Sequence, residues 1–311
     1  MSESETLSPA WTLGVAAALL LLAVATAGTR AAAVARRDGR RTLAGAADPL
    51  REAARLLRQR PRRTVAADLP LWRIASSALL PVALCMAALV PIGGRTLVPD
   101  GLGVVWFNAL DVSLWAFFWL LGWGANASFG LAGAYRFLAL GLAYELPLMF
   151  ALVAPAVAAG SLDPATIGGA QGLWYVVWMP VAFLGYCVGV LGFTLWGPLR
   201  APAGDDIATG VLAELSGVDR LLVAAGRYAL LVAGGAFAVP LFLGGTDGPW
   251  LPGVAWLVVK AAAVVALLVL VGERLSVLRP DKALEAGWVV LLPLVVLQDL
   301  VVAVAAVTGS S

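Results

Sequence analysis

Histidine is absent from this chain, and cysteine occurs only twice, at Cys85 and Cys187. Without histidine, bis-histidine haem ligation is excluded. Each cysteine sits alone in an apolar run, where a thiol behaves as a small core residue. No Cys-X-X-Cys pair exists to hold zinc or an iron–sulfur cluster. No glycine-rich phosphate loop follows a strand pattern, so no Walker or Rossmann site is expected. Charge is scarce too: Asp, Glu, Lys and Arg together make up 13% of the residues. The expectation is a chain with no redox cofactor of its own, no metal site, no bound nucleotide and no nucleic-acid partner.

What the chain has is length in apolar runs. Of its 311 residues, 61% are hydrophobic. Stretches of about 20 apolar residues recur, each long enough to cross the ~30 Å hydrocarbon layer. The fold class is an all-α polytopic membrane protein of about eight transmembrane helices, with amphipathic helices on the cytoplasmic side. The expected spans are 11–29, 72–90, 102–122, 131–159, 173–195, 221–244, 251–272 and 287–307, in one integral membrane domain over 1–311. The acidic start of the chain argues against a signal peptide in the first span. Pro81, Pro147, Pro155, Pro180, Pro240 and Pro293 fall inside spans, where neighbours can satisfy the freed backbone. Trp11, Trp72, Trp174, Trp250 and Trp288 lie near span ends and suit an interfacial belt.

The sparse charges are unevenly placed. Twelve of the 21 basic residues lie between Arg30 and Arg73. The third, fifth and seventh loops add Arg136, Arg200, Arg220, Arg274, Arg279 and Lys282, whereas the even loops hold only Arg95. The positive-inside rule then puts the odd loops in the cytoplasm and both termini outside, in a cell inner membrane. Within the basic segment, Asp48 is a candidate N-cap and Pro49 a first helical residue. Leu50, Ala53, Ala54 and Leu57 line one face of the helix that follows; Arg51, Arg55 and Arg58 line another. Such a basic amphipathic helix lies along the membrane surface, and attraction to anionic lipid accounts for most of its arginines. The fifth loop carries Asp205, Asp206, Glu214 and Asp219 within 15 residues. From Asp206 the apolar residues Ile207, Val211, Leu215 and Val218 recur at helical spacing, which predicts a short acidic-edged helix. A solvated loop with ordinary surface acids is the equal alternative.

Asp111, Glu145, Arg227, Lys260 and Asp299 fall within or just inside apolar spans. A charge at mid-bilayer costs at least ~2.5 kcal/mol on insertion scales, so such residues face a polar interior and mark an ion path or binding site. The plain alternative is a side chain that snorkels to the interface. That alternative serves Asp299 and Arg227, but not Glu145, which is short and deep in its span beside Pro147. Pro147 removes a backbone donor and bends the helix there. A carboxyl at a bent, buried turn is a candidate proton-exchanging group, because apolar surroundings disfavour its charged form.

The order of these features resembles a known family. The run Gly122–Glu145, GWGANASFGLAGAYRFLALGLAYE, is similar to the Gly-Trp…Asn…Gly-Ala…Arg…Tyr-Glu segment of the H subunits of the proton-pumping NADH:quinone oxidoreductase, respiratory complex I. Arg200-Ala201-Pro202 and Gly210, Glu214, Ser216 and Gly217 resemble the two ends of that family's acidic fifth loop. Leu241–Gly245, Asp281 through Trp288, and Leu291–Leu294 resemble the end of its sixth span and the approach to its last. Asp48-Pro49-Leu50, Glu52, Arg55, Leu56 and Leu57 look like its first amphipathic helix. There are departures. Arg36–Gly45 stands where the family has an Arg-Pro-Gly-Pro-Asn turn, the fifth loop is shorter, and Arg227 replaces a glutamate.

The resemblance implies a membrane subunit that helps form a quinone cavity at the junction with a peripheral arm and couples quinone reduction to proton translocation. Quinone would be the substrate. Iron–sulfur clusters and FMN would lie in partner subunits, and the other membrane and peripheral subunits would be its partners. It implies Glu145 as the proton-linked carboxyl, Asp206 and Glu214 as loop acids near the cavity, and Arg136 and Lys260 as their charge partners. Glu52 and Arg55 would sit at the cavity mouth, with Arg200 and Asp205 in the same region. Two related readings keep the architecture: the equivalent subunit of an energy-converting hydrogenase or formate-linked complex, and a non-pumping membrane anchor. A stand-alone transporter would show repeats and paired broken helices, and none is evident.

Overall fold

The structure is a computed structural model and describes residues 7, 8, 10–204 and 210–309. In lipid every backbone polar group must be satisfied internally, so the apolar runs close into helices. In order these are α1 (Trp11–Arg37), α2 (Thr42–Ala46), α3 (Asp48–Arg58), α4 (Leu69–Ala88), α5 (Gly103–Gly124), α6 (Ser128–Ala159), α7 (Pro164–Gly169), α8 (Tyr175–Trp178), α9 (Pro180–Phe193), α10 (Gly217–Phe242), α11 (Gly253–Arg274), α12 (Pro280–Ala286) and α13 (Leu292–Gly309). Eight helical stretches among the described residues are long and apolar enough to cross a bilayer.

Helix α10 is the hub. It packs on α1, α3, α4, α7, α9 and α11, and it is the most buried of the eight, while the last is the least. Phe107 of α5 and Phe237 of α10 stack with ring centroids 4.1 Å apart, at the centre of one continuous apolar core. The odd-numbered connections gather at one end of the bundle. Asp68 N donates to Gly124 O at 2.9 Å, Gly217 N to Gln59 Oε1 at 3.2 Å, and Leu278 N to Pro198 O at 2.8 Å. The even-numbered connections meet at the other end, where Val104 N donates to Leu162 O and Gly244 N to Gln171 Oε1.

Four expectations are corrected. The fifth span is not one helix over 173–195. Met179 (φ −119°, ψ 50°) separates α8 from α9, because Pro180 offers no N–H and disfavours helical backbone in the residue before it. The last span begins earlier than 287. Helix α12 runs through a π-helical turn, Gly287–Leu291, into α13. Pro293 explains the turn, since its ring crowds the carbonyl four residues back and the widened turn relieves the clash.

The acidic helix of the fifth loop does not form in its described part. Asp205 and Asp206 lie outside the described residues. Residues 211–214 form turns, and Val211 N donates to Pro202 O at 3.0 Å, closing the loop on itself. Val211 and Leu215, whose spacing suggested a helix, are instead buried in the bundle core. Gly217, with φ +57°, turns the chain into α10, a conformation glycine adopts without steric cost. Finally, Asp48 does not cap α3. It is the first helical residue after an Ala47 N-cap, and its carboxylate pairs with Arg40 at 3.1 Å and Arg51 at 3.0 Å. The anchored residue of α3 is Leu56, which is buried, while Leu50 and Leu57 are exposed.

Candidate functional site

Three places hold the chemistry. The first is a cavity of about 540 Å³ between α1, α3 and α10. The α1 wall is apolar, with Leu20, Ala23, Val24 and Ala27. The polar groups on its lining are Arg30, Arg40, Asp48, Glu52 and Tyr228. Arg30 is held from behind: Nε donates to Glu273 Oε1 at 2.7 Å and Nη1 to Tyr228 Oη at 3.3 Å. Arg37 reaches the other Glu273 oxygen at 3.4 Å. Arg30 and Arg227 each lie over the Trp196 indole, 4.7 Å from its ring centroid, a cation–π contact. Arg227 also donates to the carbonyls of Thr194 (3.0 Å) and Leu195 at the C-terminal end of α9.

Glu52 lines this cavity and holds Arg55 through two hydrogen bonds of 2.6 and 2.5 Å. The hydrogen bond from Arg55 holds the Glu52 carboxyl below the usual carboxylate range. Arg200 does not line the large cavity but a small adjoining pocket that shares Arg30 and Tyr228 with it. Glu214 is half-buried in the turn of the fifth loop. Arg136 is half-buried too, one helical turn beyond Gly133. A side chain at Gly133 would collide with the backbone of Gly210 and Val211, so this glycine lets α6 meet the loop that carries Glu214. Sequence reasoning missed Arg30, Arg40 and Tyr228 as lining groups. A basic residue at the end of an apolar span reads as a topology signal, and only the packing of α1 on α10 turns Arg30 inward.

The second place is a polar island between α5 and α6. Asp111 is fully buried and Glu145 is 9% exposed. Asn108 Nδ2 donates to Glu145 Oε1 at 3.1 Å. Asn108, Asp111 and Trp115 are spaced three, four and seven residues apart, one face of a helix. Tyr144 is buried beside them. Glu145 is the eighteenth of the 32 residues of α6, so it lies near the middle of that helix.

The third place is Lys260, 5% exposed. Its ammonium donates to the carbonyls of Leu243 (2.7 Å), Gly245 (3.0 Å) and Asp247 (2.7 Å), and lies between the indoles of Trp174 and Trp256. These partners belong to the turn after α10, at the end where the even-numbered connections meet. No group of three or more potential metal ligands occurs among the described residues.

With this geometry in hand, comparison with known proteins is direct. The NADH dehydrogenase family matches residues 10–303. The chain is 31% identical over 269 residues to the NADH-quinone oxidoreductase H subunit 1 of Geobacter metallireducens, an alignment covering 83% of this chain and 82% of the relative. It is 32% identical, with the same coverage, to the NADH-quinone oxidoreductase H subunit 2 of Geobacter sulfurreducens. It is 30% identical over 224 residues to the NADH-quinone oxidoreductase H subunit of Dehalococcoides mccartyi, covering 72% of this chain and 64% of the relative.

Proposed function

The chain belongs to the NADH dehydrogenase family, and from that premise we propose that it is the membrane subunit of an NADH:quinone oxidoreductase in which the α1–α3–α10 cavity receives the quinone. The observation that carries this reading is the cavity itself: about 540 Å³, with an apolar α1 wall suited to an isoprenoid tail and polar groups on the rest of its lining. Tyr228 and Arg30 are donors to a quinone carbonyl, and Glu273 fixes the guanidinium from the far side. Reduction of the quinone to quinol consumes two electrons and two protons. The electrons come from iron–sulfur clusters in a neighbouring subunit, and FMN likewise belongs to partners. This chain positions the headgroup and supplies ionisable groups.

Glu145 is the proton-linked carboxyl of the proposal. Its depth in α6 and its burial support that role, because a charge arriving in the cavity changes the field at a carboxyl in a low-dielectric surround. Arg136 lies one helical turn from Gly133, where α6 touches the fifth loop that carries Glu214. Asp205 and Asp206 remain proposed cavity-side acids, and Arg200 and the Glu52–Arg55 pair remain proposed cavity-side groups, the pair at the mouth. Lys260 is retained as a charge partner at long range, through the bundle and not by contact. The arginine-rich end faces the cytoplasm, with both termini outside, in a cell membrane.

The test is purification of the chain with its native partners under mild detergent, followed by donor-dependent quinone reduction. Co-purifying iron–sulfur subunits with quinone reduction that Arg30→Met weakens at least roughly tenfold, about 1.4 kcal/mol, supports the proposal. Iron–sulfur partners with hydrogen evolution and no quinone reduction would move the chain to the hydrogenase branch, and a chain that purifies alone would sink both.

A further inference from the structure

The island between α5 and α6 has too few hydrogen-bond donors for its acceptors as long as both carboxyls are ionised. Among the described residues no donor reaches Asp111 Oδ1, Asp111 Oδ2 or Glu145 Oε2, although all three atoms are buried. The two carboxyl groups nevertheless adjoin, within reach of one hydrogen bond between them. That bond exists only if one of them carries a proton. Two adjacent carboxylates in an apolar surround repel strongly, so both do not ionise together. Two further donors adjoin the acids. Among the described residues, Trp115 Nε1 and Tyr144 Oη are buried with no acceptor, and Tyr144, 1% exposed, lies in the field of both acids. The bundle makes room for both rings at glycines. A side chain at Gly141 would collide with the Trp115 indole, and one at Gly192 with the Tyr144 ring. The ionisable groups facing Asp111 are Glu145 and Tyr144 from α6 and Tyr186 from α9. Tyr186 is already engaged, donating to Gly234 O at 2.7 Å.

We propose that Asp111 and Glu145 form a two-carboxyl site that holds one proton in common, with Asn108, Trp115 and Tyr144 as donors to its single negative charge. The site gives a specific role to Asp111, which the sequence marks only as one of five costly charges in apolar spans. The shared proton satisfies the missing hydrogen bond. The three donors disperse the remaining charge without a cation. A site of this kind accepts or releases a proton with little movement of heavy atoms, and that suits a relay point inside a membrane. Its use in coupling rests on the function proposed above, whereas the sharing itself is read without turnover.

The experiment is infrared difference spectroscopy of the assembly purified in mild detergent at neutral pH, exchanged from water to heavy water. It compares the wild type with Asp111→Asn, Glu145→Gln, Asp111→Glu and Asn108→Leu. The expected result is an exchangeable carboxylic-acid C=O band that loses roughly half its amplitude or more in both amide variants, because the remaining acid loses its like-charged neighbour and gains an N–H donor. Asp111→Glu should retain the band. Asn108→Leu should keep its amplitude but shift its frequency, since Asn108 touches only the Glu145 half; this variant serves if an amide variant fails to assemble. A band lost in Glu145→Gln alone would mean that Glu145 holds the proton by itself, and a band untouched by every variant would mean that neither acid holds it. Either outcome overturns the proposal. Loss of proton translocation in Glu145→Gln with either of those spectra would leave the function standing without the sharing. The expected spectra with unchanged translocation would leave the sharing and remove its use.

Discussion

The buried cations and the buried acids of this molecule are treated in opposite ways. Lys260 has three N–H donors, and three backbone carbonyls accept from them. Arg227 meets two carbonyls at the end of α9 and an indole face. Both cations gather the carbonyls of a segment that has just left a helix, Lys260 after α10 and Arg227 after α9, so each holds a turn as a cap holds a helix end. At Asp111 and Glu145 three of four carboxyl oxygens are left without a donor among the described residues. A saturated buried charge is fixed in one state, while an unsaturated one gains from a change of protonation. The contrast separates residues that hold the bundle together from residues that can take part in proton chemistry, although the sequence presents them alike, as single charges in apolar runs.

The comparison breaks first at Lys260. Lys260→Met should leave three carbonyls without donors, at about 1–3 kcal/mol each if they stay buried. We expect a loss of about 3 kcal/mol or more, measured as thermal unfolding in detergent or as failure to assemble. A variant as stable as the wild type would show that the ammonium is not structural. Arg227→Gln comes next, at about 2 kcal/mol, because one carbonyl contact and the indole stack are lost while an amide retains part of the hydrogen bonding. If Arg227→Gln instead leaves stability alone and abolishes quinone reduction, Arg227 belongs with the acids. Glu145→Gln should do the reverse of Lys260→Met. The amide keeps the shape and the Asn108 contact, so stability should stay within about 1 kcal/mol. Proton translocation per quinone reduced should fall roughly tenfold or more, because the amide cannot take up and release a proton. Unchanged translocation would count against the role of Glu145.

Much of this architecture can be read from composition and spacing. Eight apolar runs gave eight spanning helices, since in lipid the backbone has no other way to satisfy itself. Two of the boundaries that failed did so at proline, where local backbone chemistry outweighs hydropathy: Pro180 splits the fifth span and Pro293 forces a wide turn in the last, while α1 simply runs on past 29 to Arg37. The fifth loop failed for another reason. Its apolar spacing was real, but Val211 and Leu215 use it to plug the bundle, with Gly133 clearing the way. Glu145 stood out in the sequence as a short acid deep in its span. Asp111 was visible as a costly charge, yet its partner was not. A signal existed: α5 and α6 join through a three-residue turn, and the two acids lie 13 and 17 residues from the helix ends at that turn. That places them at similar depth, about 20 and 25 Å along antiparallel neighbours. Whether they face each other depends on the rotation of each helix, which packing at Gly122 and Gly130 sets and periodicity does not.

The smallest effect belongs to the Glu52–Arg55 pair, the exposed counterpart of these buried charges. The hydrogen bond from Arg55 holds the Glu52 carboxyl below its ordinary value of 4.5. A carboxyl held low in the folded state lends stability that is complete above its unfolded value and vanishes as the pH falls through the folded one. The pair's contribution should therefore be present at neutral pH, decline below about 4.5, and disappear in acid. Both side chains are about half exposed, 46% for Glu52 and 58% for Arg55, so water and salt screen the attraction. Glu52→Gln should lower the unfolding temperature by at most about one degree at neutral pH and low salt. The difference should close at acid pH and equally at high salt. A larger shift that survives high salt would show that Glu52 is covered in the assembled protein, because only a shielded pair escapes screening. The cavity mouth it lines would then lie under a partner subunit instead of open water.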